Sequence, residues 1–258
     1  MELIDTHCHL QFKDYPQPNK VVAAAAQQGV NKLICPGTTL ADSLQGIELA
    51  AKFKTIWAAV GIHPHDASDY LNNKTAEKHF KQLLTKPKVV AIGEIGLDFY
   101  KNYSAREDQV EVLKQLLGLT VDSGRPYIFH VREAWDDFWQ IYDSHNPSQR
   151  PLRGVVHSFS ASPAQLDQIL KRGLMVGLNG IMTFTNDRRQ LEAARQVPLD
   201  KLVLETDAPF LTPAPHRGEL CEPKHILDIA IFLAKLRNEP VEKLAAQTTK
   251  NAELLFGL

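Results

Sequence analysis

Eight short apolar runs alternating with amphipathic stretches, in a chain of 258 residues, predict an α/β protein: a (β/α)8 TIM barrel forming a single domain over residues 1–258. The runs are nearly continuous in aliphatic and β-branched residues, as strands buried on both faces of a parallel sheet are. No Gly-rich phosphate loop follows the first run, which argues against an open doubly wound sheet.

The elements follow in order. A strand at 2–5 leads to a helix at 20–28, and a strand at 32–35 to a helix at 41–53. Strands at 56–60 and 89–93 precede helices at 75–85 and 105–122. In the last of these, Val110, Leu113, Leu117 and Val121 recur on one helical face. Ser104 is the expected N-cap, with Glu107 completing a capping box. Gly124 and Pro126 then return the chain to a strand at 127–130 and a helix at 133–143. Strands at 154–157 and 174–178 pair with helices at 163–172 and 187–196. After a strand at 201–206 comes a Pro-rich loop from Pro209 to Pro223, then helices at 224–236 and 241–255 separated by Pro240.

Composition bounds the function. Apolar residues make up 44% of the chain and charged residues 23%, the profile of a globular protein. A formal net charge of −1 excludes a protein that grips long duplex DNA through an extended basic surface, so any nucleic-acid contact is local. The three cysteines, Cys8, Cys35 and Cys221, match no zinc or redox spacing and suit a reducing, cytoplasmic compartment; Cys8 and Cys35 are expected in the core. The start carries no basic and apolar leader pattern, and no segment is long enough to span a membrane.

In a barrel of this kind the active site lies at the C-terminal ends of the strands, and polar residues concentrate there. The first strand runs into Asp5-Thr6-His7-Cys8-His9, where His7 and His9 share a face and Cys8 points away. The fourth runs into Gly93-Glu94-Ile95-Gly96-Leu97-Asp98, the fifth ends at His130, the sixth at His157, and the eighth in Glu205-Thr206-Asp207. Any one of these histidines alone reads as a hydrogen-bonded rim residue. Together, His7, His9, Glu94, His130, His157 and Asp207 form an imidazole and carboxylate set that a divalent cation would neutralise. Six ligands exceed one tetrahedral site and suit two ions about 3.5–4 Å apart, with Glu94 as the natural bridge. His63 and His65 could touch a phosphate or leaving group, or be surface residues; Arg132 and the His216-Arg217 pair could bind phosphate oxygens or make surface ion pairs. Asp98 is expected to orient a neighbour. Tyr100 and Tyr103 could stack on a base or pack at the rim. His79, His145 and His225 are expected at the surface.

These segments resemble the TatD family of metal-dependent deoxyribonucleases, among the amidohydrolase-like barrels. The matching runs are Ile4-Asp5-Thr6-His7-Cys8-His9-Leu10, Gly61-Ile62-His63-Pro64-His65, Gly93 to Asp98, Phe129-His130-Val131-Arg132-Glu133-Ala134, His157-Ser158-Phe159-Ser160, Leu204-Glu205-Thr206-Asp207-Ala208-Pro209 and Asn251-Ala252. They span essentially the whole chain in order. The resemblance implies one metal on His7, His9 and Asp207, a second on His130 and His157, a bridging Glu94, and Glu205 as an auxiliary ligand or support. It also implies 3′ trimming of single strands. The chain departs from the family at Leu220-Cys221, where an Arg-Asn pair is usual, and at Val131 and Ala161.

The expected function is therefore phosphodiester hydrolysis by water activated at a dinuclear centre, with Glu94, Asp207 and Glu205 catalytic and Asp207 accepting the water's proton. The metal, Mg, Mn, Zn or similar, is not read from the ligands. A monomer acting on single-stranded DNA ends is expected. Two rivals remain: hydrolysis of another ester or amide, such as an aminoacyl-tRNA ester or a lactone, and a metal-dependent module that only binds a phosphorylated ligand. The absence of a lysine at the end of the fourth strand, where many amidohydrolases carry a carboxylated one, favours the nuclease-like branch.

Overall fold

The computed structural model describes residues 1–146 and 151–258. The first half of the chain forms β1 (Leu3–Asp5), α1 (Pro18–Gln27), β2 (Val30–Pro36), α2 (Leu40–Lys52), β3 (Ile56–Ile62), α3 (Ala67–Asn72), α4 (Ala76–Leu84), β4 (Val89–Asp98) and α5 (Arg106–Thr120). The second forms β5 (Tyr127–Arg132), α6 (Trp135–His145), β6 (Gly154–Val156), α7 (Pro163–Lys171), β7 (Met175–Leu178), α8 (Ile181–Phe184), α9 (Arg188–Gln196), β8 (Leu202–Leu204), α10 (Ile226–Arg237) and α11 (Val241–Phe256). The strands make one eight-stranded sheet in the order β1 to β8, with helices between them. The chain after β8 returns to β1: Thr6 N donates to Leu204 O at 3.1 Å, and Cys8 and Ala208 form a parallel bridge. This is the (β/α)8 barrel that the eight apolar runs predict.

Two compact units are distinguishable. The first comprises Met1–Cys35, Lys54–Ile56 and Val156–Leu258. In it β1 pairs with β2, Asp5 opposite Leu33, and β7 pairs in register with β8, Leu178 opposite Leu204. Ile229 and Leu233 of α10 and Leu244 of α11 are wholly buried. Asn251 on α11 explains its place in the sequence pattern: its amide donates to Leu199 O and Leu202 O, both at 2.8 Å, at the start of β8. Arg237 closes the end of α9 by donating through one Nη to Ala194 O, Arg195 O and Val197 O.

The second unit comprises Pro36–Phe53 and Trp57–Val155. Here β3, β4 and β5 are parallel neighbours, with Ala59 opposite Ala91 and Gly96 opposite His130. The rings of Phe129, Phe138 and Tyr142 pack edge-on and tilted around one another and are fully buried. Thr39 caps α2 by accepting from Asp42 N at 3.1 Å, a contact worth about 1 kcal/mol.

Several expectations are corrected. Strand β4 does not stop at Gly93 but continues to Asp98, so Glu94 and Asp98 both lie on it. The N-cap of α5 is Ala105, not Ser104; the Ser104 hydroxyl instead donates to His65 O and accepts from Ser68 N. The buried stripe of α5 is Val112, Leu113, Leu116 and Leu117, with Val110 and Val121 only half-buried. Gln109 is buried on the same helix because its amide bonds Asp98 N, Asp98 O and Ser104 O. Helices α3 and α8 were not expected; at six and four residues they are too short to show a period.

Candidate active site

In the first unit the donors come from the ends of β1, β6 and β8. His7 Nε2 lies 3.2 Å from His9 Nε2, and Asp207 Oδ1 lies 3.7 Å and 3.6 Å from those two atoms. Ligands of a tetrahedral ion with bonds of about 2.1 Å sit about 3.4 Å apart, so these three atoms stand at coordination spacing. The His7 ring stacks on His157 at 3.9 Å, and His7, His157 and Glu205 make a second group of three donors.

Glu205 tests whether a cation fits. It is wholly buried. Its Oε1 accepts from Ser158 N at 2.5 Å and lies 3.5 Å from Asn179 Nδ2, while Oε2 has no hydrogen-bond partner among the described residues. Gly177 leaves the room for that oxygen: a Cβ there would stand 2.4 Å from it. A buried carboxylate oxygen with no donor is expensive, and a divalent cation among three imidazoles and two carboxylates removes the cost. The residues of this unit therefore fit a metal ion.

The local backbone is unusual where the ligands lie. Asp207 and Ser158 adopt left-handed conformations, φ 61° and 50°, each costing on the order of 1–3 kcal/mol in a non-glycine residue. Both are locked from outside: Asp207 N donates to His7 O, and the Ser158 N–H to Glu205. Burial pushes the Asp207 carboxyl up, but the His9 hydrogen bond and the charges of His7 and His157 outweigh it and hold the carboxyl below its ordinary value. Asp5 behaves oppositely. Burial raises it to about 7 despite bonds from the Thr206 hydroxyl, Thr206 N and His7 N.

In the second unit His63, Glu94 and His130 form another group of three donors. His130 Nδ1 bonds Glu94 Oε1 at 2.7 Å, and His63 Nε2 lies 3.5 Å from the same oxygen. Asp98 takes up the orienting role expected of it: its Oδ2 lies 2.9 Å from His65 Nε2 and 3.4 Å from His130 Nε2, while Oδ1 accepts from Tyr100 N and Lys101 N. Burial opposes ionisation of Asp98, but the bonds from His130, His65 and the Lys101 amide prevail and hold it well below the usual carboxylate range. The Arg132 guanidinium lies 3.9 Å from the centre of the exposed Tyr100 ring, and Tyr103 meets His65 edge-on at 4.7 Å.

Among the other expected residues, Arg217 covers the Phe184 ring at 3.8 Å and donates to Thr212 O. Cys8 and Cys35 are buried as expected, and His79 is exposed. His225 is a correction: expected at the surface, it is only 3% exposed, because the turn at Pro223–His225 folds its ring inward against His216. Sequence reasoning missed Asn179 and placed Ser158 in a matching run without giving it a role; both support Glu205. The signal available for Asn179 was its place, a polar residue directly after the apolar run of β7.

Residues 4–257 match the family model described as TatD related DNase. The chain is 32% identical over 255 residues to the metal-dependent hydrolase YabD of Bacillus subtilis, covering 98% of each. It is 35% identical over 247 residues to the 3′-5′ ssDNA/RNA exonuclease TatD of Escherichia coli K12, covering 92% of each. The crystal structure of the TatD homologue YjjV of Escherichia coli K12 superposes with a TM-score of 0.90 at 30% identity, covering 99% of this chain and 98% of that one. The family match over nearly the full chain, carried by donors fit for a cation, establishes that this protein belongs to the TatD-related DNase family and is a metal-dependent hydrolase.

Proposed function

We propose that the enzyme hydrolyses phosphodiester bonds of nucleic acid, acting on single-stranded DNA ends with two divalent cations. The observation that carries this reading is the coordination spacing of His7, His9 and Asp207, set beside a carboxylate, Glu205, that needs a cation. His7, His9 and Asp207 would hold one ion, with His157 and Glu205 beside them. Glu94 and His130 would hold another, and the spacing of His63 adds it to that group. The bridging role that the resemblance gives Glu94 stays part of the proposal. Bound divalent cations supply charge to the phosphate and lower the pKa of water toward neutrality.

The chain's own residues do the rest. Asp207, held ionised, is the acceptor for the proton of the attacking water. Glu205 keeps the ligands oriented through Ser158 and Asn179. Arg132 and Arg217 offer guanidinium donors to phosphate oxygens, with His63 and His65 as further phosphate contacts. Tyr100 and Tyr103 present exposed rings on which a base can stack, a contact that every base accepts and that suits single strands. The relative named as a 3′-5′ ssDNA/RNA exonuclease supports this class of substrate. A net charge of −1 agrees with a grip confined to a few phosphates.

The test is turnover of single-stranded DNA, duplex DNA, RNA, bis(p-nitrophenyl) phosphate and a carboxyl ester with each metal, beside a metal-free control. The expected result is metal-dependent cleavage fastest on single-stranded DNA. Hydrolysis of the carboxyl ester with no phosphodiester turnover would overturn the reading.

A further inference from the structure

A separate group of donors lies in the first unit, on the loop after β8 and at the start of α10. We propose that His216, Glu219 and His225 bind a zinc-class divalent cation, with Asp228 orienting His216. One donor atom from each of the first three lies within 4.8 Å of the other two. His216 Nδ1 is 3.6 Å from Glu219 Oε2, too long for a hydrogen bond and close to the spacing of two ligands on one small ion. The other ring nitrogen, Nε2, faces Asp228 Oδ2, also at 3.6 Å. The negative charge there favours the tautomer with the proton on Nε2 and leaves the Nδ1 lone pair for a metal, without a hydrogen bond at that distance.

His225 supplies the independent observation. Its ring is buried and stacks on His216 at 4.7 Å and 21°. Nδ1 accepts from Glu222 N at 3.1 Å, and Nε2 has no hydrogen-bond partner among the described residues. A buried imidazole nitrogen without a partner is a cost to the fold, and a cation would remove it. Ligation through Nε2 moves the ring proton to Nδ1 and ends the bond from Glu222 N–H, so cation uptake also changes the turn that precedes α10.

The donor set selects the ion. Two imidazoles and a carboxylate suit zinc, cobalt or nickel, whereas magnesium and calcium prefer all-oxygen sites. Entry is from solvent, since Glu219 is 65% exposed, while His225 closes the floor. The ion would tie residues 216–219 to the start of α10, and Arg217 lies within that segment. This inference stands apart from the reading of the strand-end donors.

The test strips the full-length protein with a chelator, reloads it with Zn2+ or Co2+ in the presence of excess Mg2+, removes free metal and counts bound ions by elemental analysis. Glu219→Gln and His225→Phe are each expected to retain one equivalent fewer than the wild type, with loss of a Co2+ visible absorption component. The Glu222 amide resonance should shift on Zn2+ addition to the wild type and stay fixed in Glu219→Gln. Glu219 is exposed, so its variant decides the matter if His225→Phe does not fold. Equal zinc counts in the wild type and Glu219→Gln would overturn the proposal.

Discussion

The two groups of strand-end donors solve the same problem in opposite ways. In the first unit the ligand atoms of His7, His9 and Asp207 are held 3.2–3.7 Å apart, and Glu205 keeps one oxygen without a donor. In the second, His130 already bonds Glu94 at 2.7 Å and His65 already bonds Asp98 at 2.9 Å. The first group holds a buried carboxylate oxygen with no hydrogen-bond partner among the described residues, which a cation would meet. In the second, both carboxylates are already bonded to imidazoles, and a cation would have to displace those bonds. Pre-organisation of that kind is worth affinity, because a displaced charge-assisted bond is lost on binding. Similar ligand chemistry is therefore expected to give unequal cation affinity, with the first unit filling first.

The largest effect that can break this comparison is ligand removal. Asp207→Ala and Glu94→Ala should each cut hydrolysis by roughly a thousandfold or more, as removing a central catalytic group does. Calorimetric metal titration should separate them: Asp207→Ala loses the tighter equivalent and Glu94→Ala the weaker. If Glu94→Ala removes both, Glu94 is a ligand to both ions; if it removes only the tighter, the ranking is reversed. The next effect concerns the glycines beneath the carboxylates. A Cβ at Gly61 would stand 2.2 Å from Glu94 N, a backbone atom that cannot turn aside, so Gly61→Ala should cost about 1–3 kcal/mol in denaturant unfolding. At Gly177 the obstacle is the Glu205 carboxylate, so Gly177→Ala should cost less stability and show its effect as lost turnover and metal retention.

Smaller still is Arg132→Ala. Losing a charge-assisted phosphate contact should raise KM for single-stranded DNA about tenfold with little change in kcat, read from steady-state kinetics. The smallest expected effect lies at the surfaces of the two units. Lys32 and Glu253 pair at 2.6 Å with their side chains 27% and 40% exposed, whereas Lys81 and Glu77 pair at the same distance but more than half exposed. Lys32→Ala should cost up to about 1 kcal/mol and Lys81→Ala less than about 0.5 kcal/mol, with thermal unfolding as the measure.

The fold was legible because a parallel barrel repeats one simple pattern, apolar run then amphipathic helix, and eight repeats reinforce one another. The strand-end residues were legible for the same reason: once β1 and β8 are placed, His7, His9 and Asp207 must lie at their C-terminal ends. What escaped is set by contacts distant in sequence. Gln109 is buried because Asp98 and Ser104 need its amide, and no period announces that. His225 reads as a polar residue near a helix start, yet the turn after Pro223 folds it inward. The association of His63 with Glu94 and His130 follows from the pairing of β3, β4 and β5, which sequence spacing does not measure.

The twin bonds from Asn251 to the start of β8, with the Thr249 hydroxyl donating to Glu2 O just before β1, have a consequence for the order in which the site is assembled. His7 leaves the ribosome well before the strand that brings it Asp207, and before the helix that clasps both. Domains take shape as they emerge, and here the emerging chain holds His7 and His9 in waiting until β8 and α11 have followed. A truncated product that lacks only α11 keeps every ligand named above, yet has lost the clasp that sets β1 beside β8. Such a product is expected to be metal-poor, which elemental analysis of the purified truncation would check.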